Sequence, residues 1–159
     1  MALPMEKLYK NCIARYRMRL IAGNEGMNNL VKWVHIVEDE EVPAFLHGGE
    51  LVFTAGIRSK IAKDWLRTFA ENLYQAGASV FVVNIGPYIQ EVPEDVIAYC
   101  NEVSMPLFTI PWETHMVDMT REFCQRIIHS ETIEDSISTT IKNILFQIGD
   151  LETQILQME

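Results

Sequence analysis

From Glu50 onward the chain alternates between two hydrophobic periods, and few folds accept that alternation. Glu50 to Thr54 is a short apolar run closed by Gly56, the pattern of a strand. Ile61, Ala62, Trp65, Leu66, Phe69, Leu73 and Tyr74 then recur at i, i+3 and i+4, predicting an amphipathic helix of about five turns with Ser59 as its N-cap and Gly77 as its stop. Ser79 to Ile85 is almost continuously apolar, as a strand buried on both faces would be. Pro93-Glu94-Asp95 opens a further helix, with proline in the first turn and acids at the positive end of the dipole; Val96, Ile97, Cys100 and Val103 form its apolar face. Leu107 to Ile110, between Pro106 and Pro111, is the last strand. Strands separated by helices need crossover connections, so this order predicts a largely parallel sheet with helices packed on it.

The upstream segment adds a helix over 5–15 (Leu8, Cys12 and Ile13 on one face) and a strand over 18–22 that ends at the turn Gly23-Asn24-Glu25-Gly26. A strand over 31–37 follows, then a helical turn from Pro43 to Leu46 that Gly48-Gly49 terminates. The expected fold class is α/β, a mostly parallel sheet of about five strands with flanking helices, forming a domain over residues 1–130.

Residues 131–159 have a different character. Ile137, Ile141, Ile144, Ile148, Leu151, Ile155 and Met158 are spaced 4, 3, 4, 3, 4, 3, a heptad series with Ile141, Ile148 and Ile155 at a and the others at d. Thr132 with Asp135 resembles a capping-box start. The expectation is a long coiled-coil-like C-terminal helix that self-associates, as a dimer first, through Ile137, Ile141, Ile144, Ile148, Leu151 and Ile155. The alternative is an amphipathic helix folded back on the domain, since Leu145 and Phe146 widen the stripe. The series stops in mid-heptad at Glu159, as it would in a helix that continues into a further domain.

Charge and composition narrow the function. The 159 residues carry 13 Lys+Arg against 22 Asp+Glu, a net charge of −9, which argues against nucleic-acid binding through this segment. No apolar run reaches the roughly 18 residues of a membrane span, and the N-terminus lacks the apolar core of a signal peptide, so a cytoplasmic location is expected. Cys12, Cys100 and Cys124 are odd in number and far apart, which fits small buried hydrophobes better than disulfides or zinc ligands. The four histidines show no i, i+4 pair, and no phosphate loop, dinucleotide fingerprint, nucleophile elbow or His-Glu-x-x-His occurs. No catalytic group, cofactor or metal site is expected, and the run Glu38-Asp39-Glu40-Glu41 reads as a solvated loop.

In parallel sheets ligands gather beyond the carboxyl ends of the strands. The candidate ligand-binding residues at or near those ends are His35, Glu38, Thr54, Gly56, Arg58, Tyr88 and Trp112, and Glu50 at the start of its strand is a further candidate. Thr54 offers a hydroxyl and Gly56 a close backbone approach. Arg58 would clamp a carboxylate or planar amide, and Tyr88 and Trp112 would stack on a flat ring. Each also has an ordinary structural reading, as turn former, solvated charge or core residue.

At these residues the sequence resembles the N-terminal domain of purine catabolism regulator (PucR-type) transcription factors. The resemblance runs from about residue 18 to 128. Its stretches are Val31 to Glu38, Leu46 to Gly56, Ile85-Gly86-Pro87-Tyr88, Val92 to Ile97, Met105-Pro106-Leu107, Ile110-Pro111-Trp112 and Asp118 to Glu122. Where that family usually reads Thr-Thr-Gly, this chain has Thr54-Ala55-Gly56. The resemblance implies a sensory domain for a small metabolite, such as a purine-breakdown product, with DNA bound by a C-terminal helix-turn-helix outside this segment. An unrecognised small-molecule enzyme and a ligand-free oligomerisation adaptor are the competing readings.

Overall fold

A computed structural model describes residues 2–10 and 12–158, apart from the side chain of Val42. The elements run, in chain order, β1 (Leu3–Pro4), α1 (Met5–Tyr9), α2 (Cys12–Tyr16), β2 (Arg19–Ala22), β3 (Leu30–Val31), β4 (Trp33–Ile36), β5 (Glu50–Thr54), α3 (Trp65–Gln75), β6 (Val80–Ile85), α4 (Glu94–Glu102), β7 (Leu107–Pro111) and α5 (Met116–Met158). Short 3-10 turns occupy Asn24–Gly26 and Val42–Phe45.

Five strands form one sheet in the order β2-β7-β6-β5-β4. β4, β5, β6 and β7 are parallel, in chain order across the sheet, and β2 closes the β7 edge antiparallel. The mixed α/β fold with a mostly parallel five-stranded sheet is therefore present. All five residues of β5 are buried, as are five of the six in β6, which explains why their sequences are apolar without alternation.

Two cores flank this sheet. On one face Val52, Phe81 and Leu107 meet Trp65, Phe69 and Leu73 of α3 and Val96 and Cys100 of α4. On the other, Leu51, Phe53, Val82 and Phe108 meet Met5 and Leu8 of α1, Cys12 of α2, and Met119, Phe123 and Ile127 of α5. α3 and α4, the β5–β6 and β6–β7 crossovers, lie on the same face. The winding never reverses within the parallel strands, so the sheet lacks the crevice that a reversal of strand order opens in doubly wound folds.

Several boundaries differ from the sequence reading. The helix expected over 5–15 is two short helices, α1 and α2, and Asn11, in the middle of that stretch, lies outside the described residues. The strand expected over 31–37 is divided: β3 pairs antiparallel with β1, and β4 joins the main sheet. α3 starts at Trp65, after a series of tight turns (Ser59 N–H to Gly56 O, Ile61 N–H to Arg58 O, Trp65 N–H to Ala62 O), so Ser59 is not its cap. Thr132 is not a helix start either: it lies inside α5, its hydroxyl donating to Ile128 O at 3.1 Å.

α5 has 43 residues and runs unbroken from the sheet to the end of the described chain, about 64 Å at 1.5 Å per residue. Its first third is packed against the sheet; beyond residue 130 every described residue is exposed. Ile137, Ile141, Ile144, Ile148, Leu151 and Ile155 are each about half exposed, a continuous apolar stripe in solvent.

Candidate functional site

The loops that follow β4, β5, β6 and β7 gather at one edge of the sheet, and a carboxylate organises two of them. Glu38, just past β4, accepts the Ala55 N–H at 2.6 Å, the Ile57 N–H at 3.2 Å and the Thr54 hydroxyl at 3.1 Å. The Thr54 oxygen in turn accepts the Gly56 N–H at 3.2 Å. Gly56 takes φ +71°, and a Cβ there would lie 2.1 Å from Ile89 Cδ1, so any side chain at this position strains the backbone and displaces Ile89.

The acidic run is not a solvated loop. Glu40 Oε2 accepts from Arg58 Nε at 3.1 Å and from Trp65 Nε1 at 3.0 Å, and Asp39 lies 3.6 Å from Arg58 Nη1. Asp39 also accepts the Glu41 N–H, and Asn72 of α3 donates to Glu40 O. The Trp65 hydrogen bond first, then a backbone N–H and Arg58, hold the Glu40 carboxyl below the usual range. The segment fastens the β4–β5 connection to the start of α3.

Trp112, directly after β7, lays its ring on Gly86: a Cβ at position 86 would be 2.3 Å from Cε3 of that ring. The Tyr88 ring lies 6.1 Å from it at 55°, and the Lys60 ammonium sits 5.7 Å from the Tyr88 centroid. Ser59 donates to Tyr88 O at 3.1 Å. Beside this pair an open cleft of about 470 Å³ separates the β5–α3 loop from the β6–α4 loop, lined by Ser59, Lys60, Lys63, Tyr88, Gln90 and Glu91 among others. A second, smaller recess of about 260 Å³ lies where β2 begins and β7 ends, with Arg15, Arg17, Glu113 and His115 on its walls.

The structure thus brings Glu38, Thr54 and Gly56 into one hydrogen-bond network and Tyr88 and Trp112 into one aromatic pair. Arg58 joins Asp39 and Glu40 rather than lining the cleft. Glu50 stands at the opposite, amino end of β5, where it accepts the His47 and Gly48 N–H groups at 2.7 and 2.9 Å and closes that turn. His35 is exposed on the edge strand β4, in register with Val52. Lys60, Lys63, Gln90, Arg15 and Arg17 were missed in the sequence; their only signal was membership of the segments around the strand ends.

Among the described residues, two buried side-chain polar atoms lack a hydrogen-bond partner: Asn84 Oδ1 near the end of β6 and Thr120 Oγ1 on α5. Asn84 is in register with Ile110 and shares the sheet face that α5 covers. Burial pushes the Cys12 thiol up to about 11 and Cys100 to about 12, so neither is a nucleophile at neutral pH. Among the described residues no cluster of three or more His, Cys, Asp or Glu could hold a metal ion, and no helix is long and apolar enough to cross a membrane.

The fold and site define a mixed α/β domain with fastened strand-end loops and a long helix leaving its sheet. The chain belongs to the purine catabolism regulatory protein-like family, whose model matches residues 7–127. It is similar to the purine catabolism regulatory protein of Bacillus subtilis (strain 168), at 21% identity over 115 residues, 72% of this chain and 22% of that protein. The chain therefore spans about a fifth of the length of that curated relative.

Proposed function

We propose that this chain is the metabolite-sensing and dimerising domain of a cytoplasmic transcriptional regulator of purine or nitrogen catabolism, a sensor rather than an enzyme. One observation carries the reading beyond family membership. Trp112 pairs with Tyr88 of the cleft wall and is close in sequence to the long helix: its ring lies against Gly86, and α5 begins four residues later at Met116. A flat polar ligand stacking on Tyr88 and Trp112, with Lys60 and Lys63 at hand for anionic oxygens, would bear directly on the start of α5.

Such a ligand acts by binding one packing of α5 on the sheet better than another. The unpaired Asn84 and Thr120 atoms support this, since buried polar groups without partners are groups that a second packing could satisfy. The exposed stripe of α5 then transmits the change between two copies. DNA contact belongs to another region of the regulator, in keeping with the net charge of −9 here.

The test is a thermal-shift screen with purine-breakdown products, nucleobases, nucleotides and amino acids, repeated on Trp112→Ala. The proposal expects a class of flat, polar compounds to raise the melting temperature of the parent and not of the variant. If Trp112→Ala retains the shift, the site is wrong; if no compound shifts the parent, the sensor reading fails. Sedimentation at rising concentration tests self-association separately, and a persistent monomer removes the dimer.

A further inference from the structure

We propose that the recess between the α2–β2 turn and the β7–α5 connection binds a small zwitterion, a free amino acid with its carboxylate toward Arg17 and its ammonium toward Glu113. None of the residues lining it also lines the cleft beside Tyr88, so this site stands apart from the sensing role assigned to that cleft.

The two walls carry opposite charge. Arg15 and Arg17 stand on one, Glu113 and Asp118 on the other. Half of these charges are already engaged. Arg15 is bound to Glu122 of α5 and lies 5.5 Å from the centroid of the Tyr16 ring. Asp118 faces His115 at 3.4 Å. Among the described residues, Arg17 and Glu113 have no ion-pair or side-chain hydrogen-bond partner, although both line the same recess. A ligand of single charge would satisfy one wall and meet its own sign on the other. A molecule that carries both charges satisfies both.

The backbone holds Arg17 at this place against its own preference. Directly after α2 it takes φ +53°, and among the described residues Ser104 is the one other non-glycine with positive φ. The left-handed residue that follows a helix is usually glycine, because a Cβ there crowds the neighbouring carbonyl. The Met18 N–H closes the turn on Cys12 O at 3.4 Å. Glycine would make this turn with less strain, so the arginine serves through its side chain.

The recess is built before anything enters it. The Thr114 hydroxyl donates to Tyr16 O at 2.8 Å and ties one wall to the other, while the Thr114 N–H donates to Pro111 O at 3.0 Å. Tyr16 is 9% exposed and packs in the core that α5 covers. Walls already in position spare much of the ordering cost of binding. The volume is about 260 Å³, just under the roughly 300–1,000 Å³ of sites for larger ligands, which suits an amino acid. Both walls also lead to α5: Glu113 and His115 directly precede Met116, and Arg15 already holds Glu122. A bound amino acid adds a second tie between the α2–β2 turn and the start of the helix, and so favours the packing in which that start stays docked.

Amide NMR titration of the full chain at millimolar concentrations tests the site. The probes are the common amino acids and two single-charge controls, propionate and ethylamine, which match the two halves of alanine. At least one amino acid should shift the Arg17, Thr114 and Asp118 amides saturably, with both controls about tenfold weaker or more. Arg17→Gly should weaken that binding by about tenfold or more while the urea midpoint stays the same or rises, since glycine relieves the strained turn. Glu113→Gln should weaken amino-acid binding without weakening propionate. The site is overturned if no amino acid shifts these amides, if propionate binds as well as alanine, or if Arg17→Gly keeps the binding. A lowered midpoint in Arg17→Gly makes the arginine a structural residue and overturns it as well.

Discussion

Replacing Glu38 by alanine tests whether the strand-end loops are held from the β4 side. The carboxylate accepts three hydrogen bonds, from the Ala55 and Ile57 amides and the Thr54 hydroxyl. Ala55 is only 5% exposed, so its amide gains no water when the carboxylate goes. A buried amide that loses a charged acceptor costs about 1.5–3 kcal/mol. Ile57 is exposed and its amide rehydrates, so it adds little. The Thr54 hydroxyl loses an acceptor but still accepts from Gly56, adding about 0.5–1 kcal/mol. The expected loss is therefore about 3 kcal/mol. At 2–4 °C per kcal/mol for a domain of this size, the midpoint falls by roughly 6–12 °C. The assay is urea and thermal unfolding followed by circular dichroism. Glu38→Gln keeps one accepting oxygen and should lose less than half as much. If Glu38→Ala unfolds within about 0.5 kcal/mol of the parent, the carboxylate does not hold these loops and the site model built on them fails.

Other substitutions probe the neighbouring features. Gly86→Ala should push the Trp112 ring off its seat, read as a shift in tryptophan emission together with a lowered urea midpoint, because the added Cβ would meet the rigid indole at 2.3 Å from Cε3 and 3.0 Å from Cγ. Phe123→Ala removes a fully buried ring between α5 and the sheet and should cost about 3–5 kcal/mol in urea unfolding. Glu40 has a folded pKa below its ordinary 4.5, so its contribution is complete above that value and is lost as pH falls through the lower folded value. Trp65→Phe removes the leading cause, and NMR titration should then find the Glu40 pKa closer to 4.5. Alkylation at pH 8 should reach Cys124 first and leave Cys12 and Cys100 unmodified until the domain unfolds.

What was legible in the sequence, and what was not, follows from the range of the forces involved. β5, β6, β7, α3 and α4 could be read because each is specified by its own apolar period, and their order implied parallel pairing. The start of α3 could not: Ser59 looks like a cap, but its hydroxyl goes to Tyr88 and Arg58 is held by Glu40, contacts 29 and 18 residues away. The acidic run looked solvated for the same reason, since nothing local shows that the Ala55 and Ile57 amides converge on Glu38. The misplaced member of the site is different in kind. Glu50 begins β5, so strand polarity alone puts it at the amino edge, where it closes the His47-Gly48 turn. The heptads of α5 were plain in the sequence, but their meaning was not. Only the burial of Phe123 and Ile127 on the sheet shows that the stripe and the domain share one side of the helix.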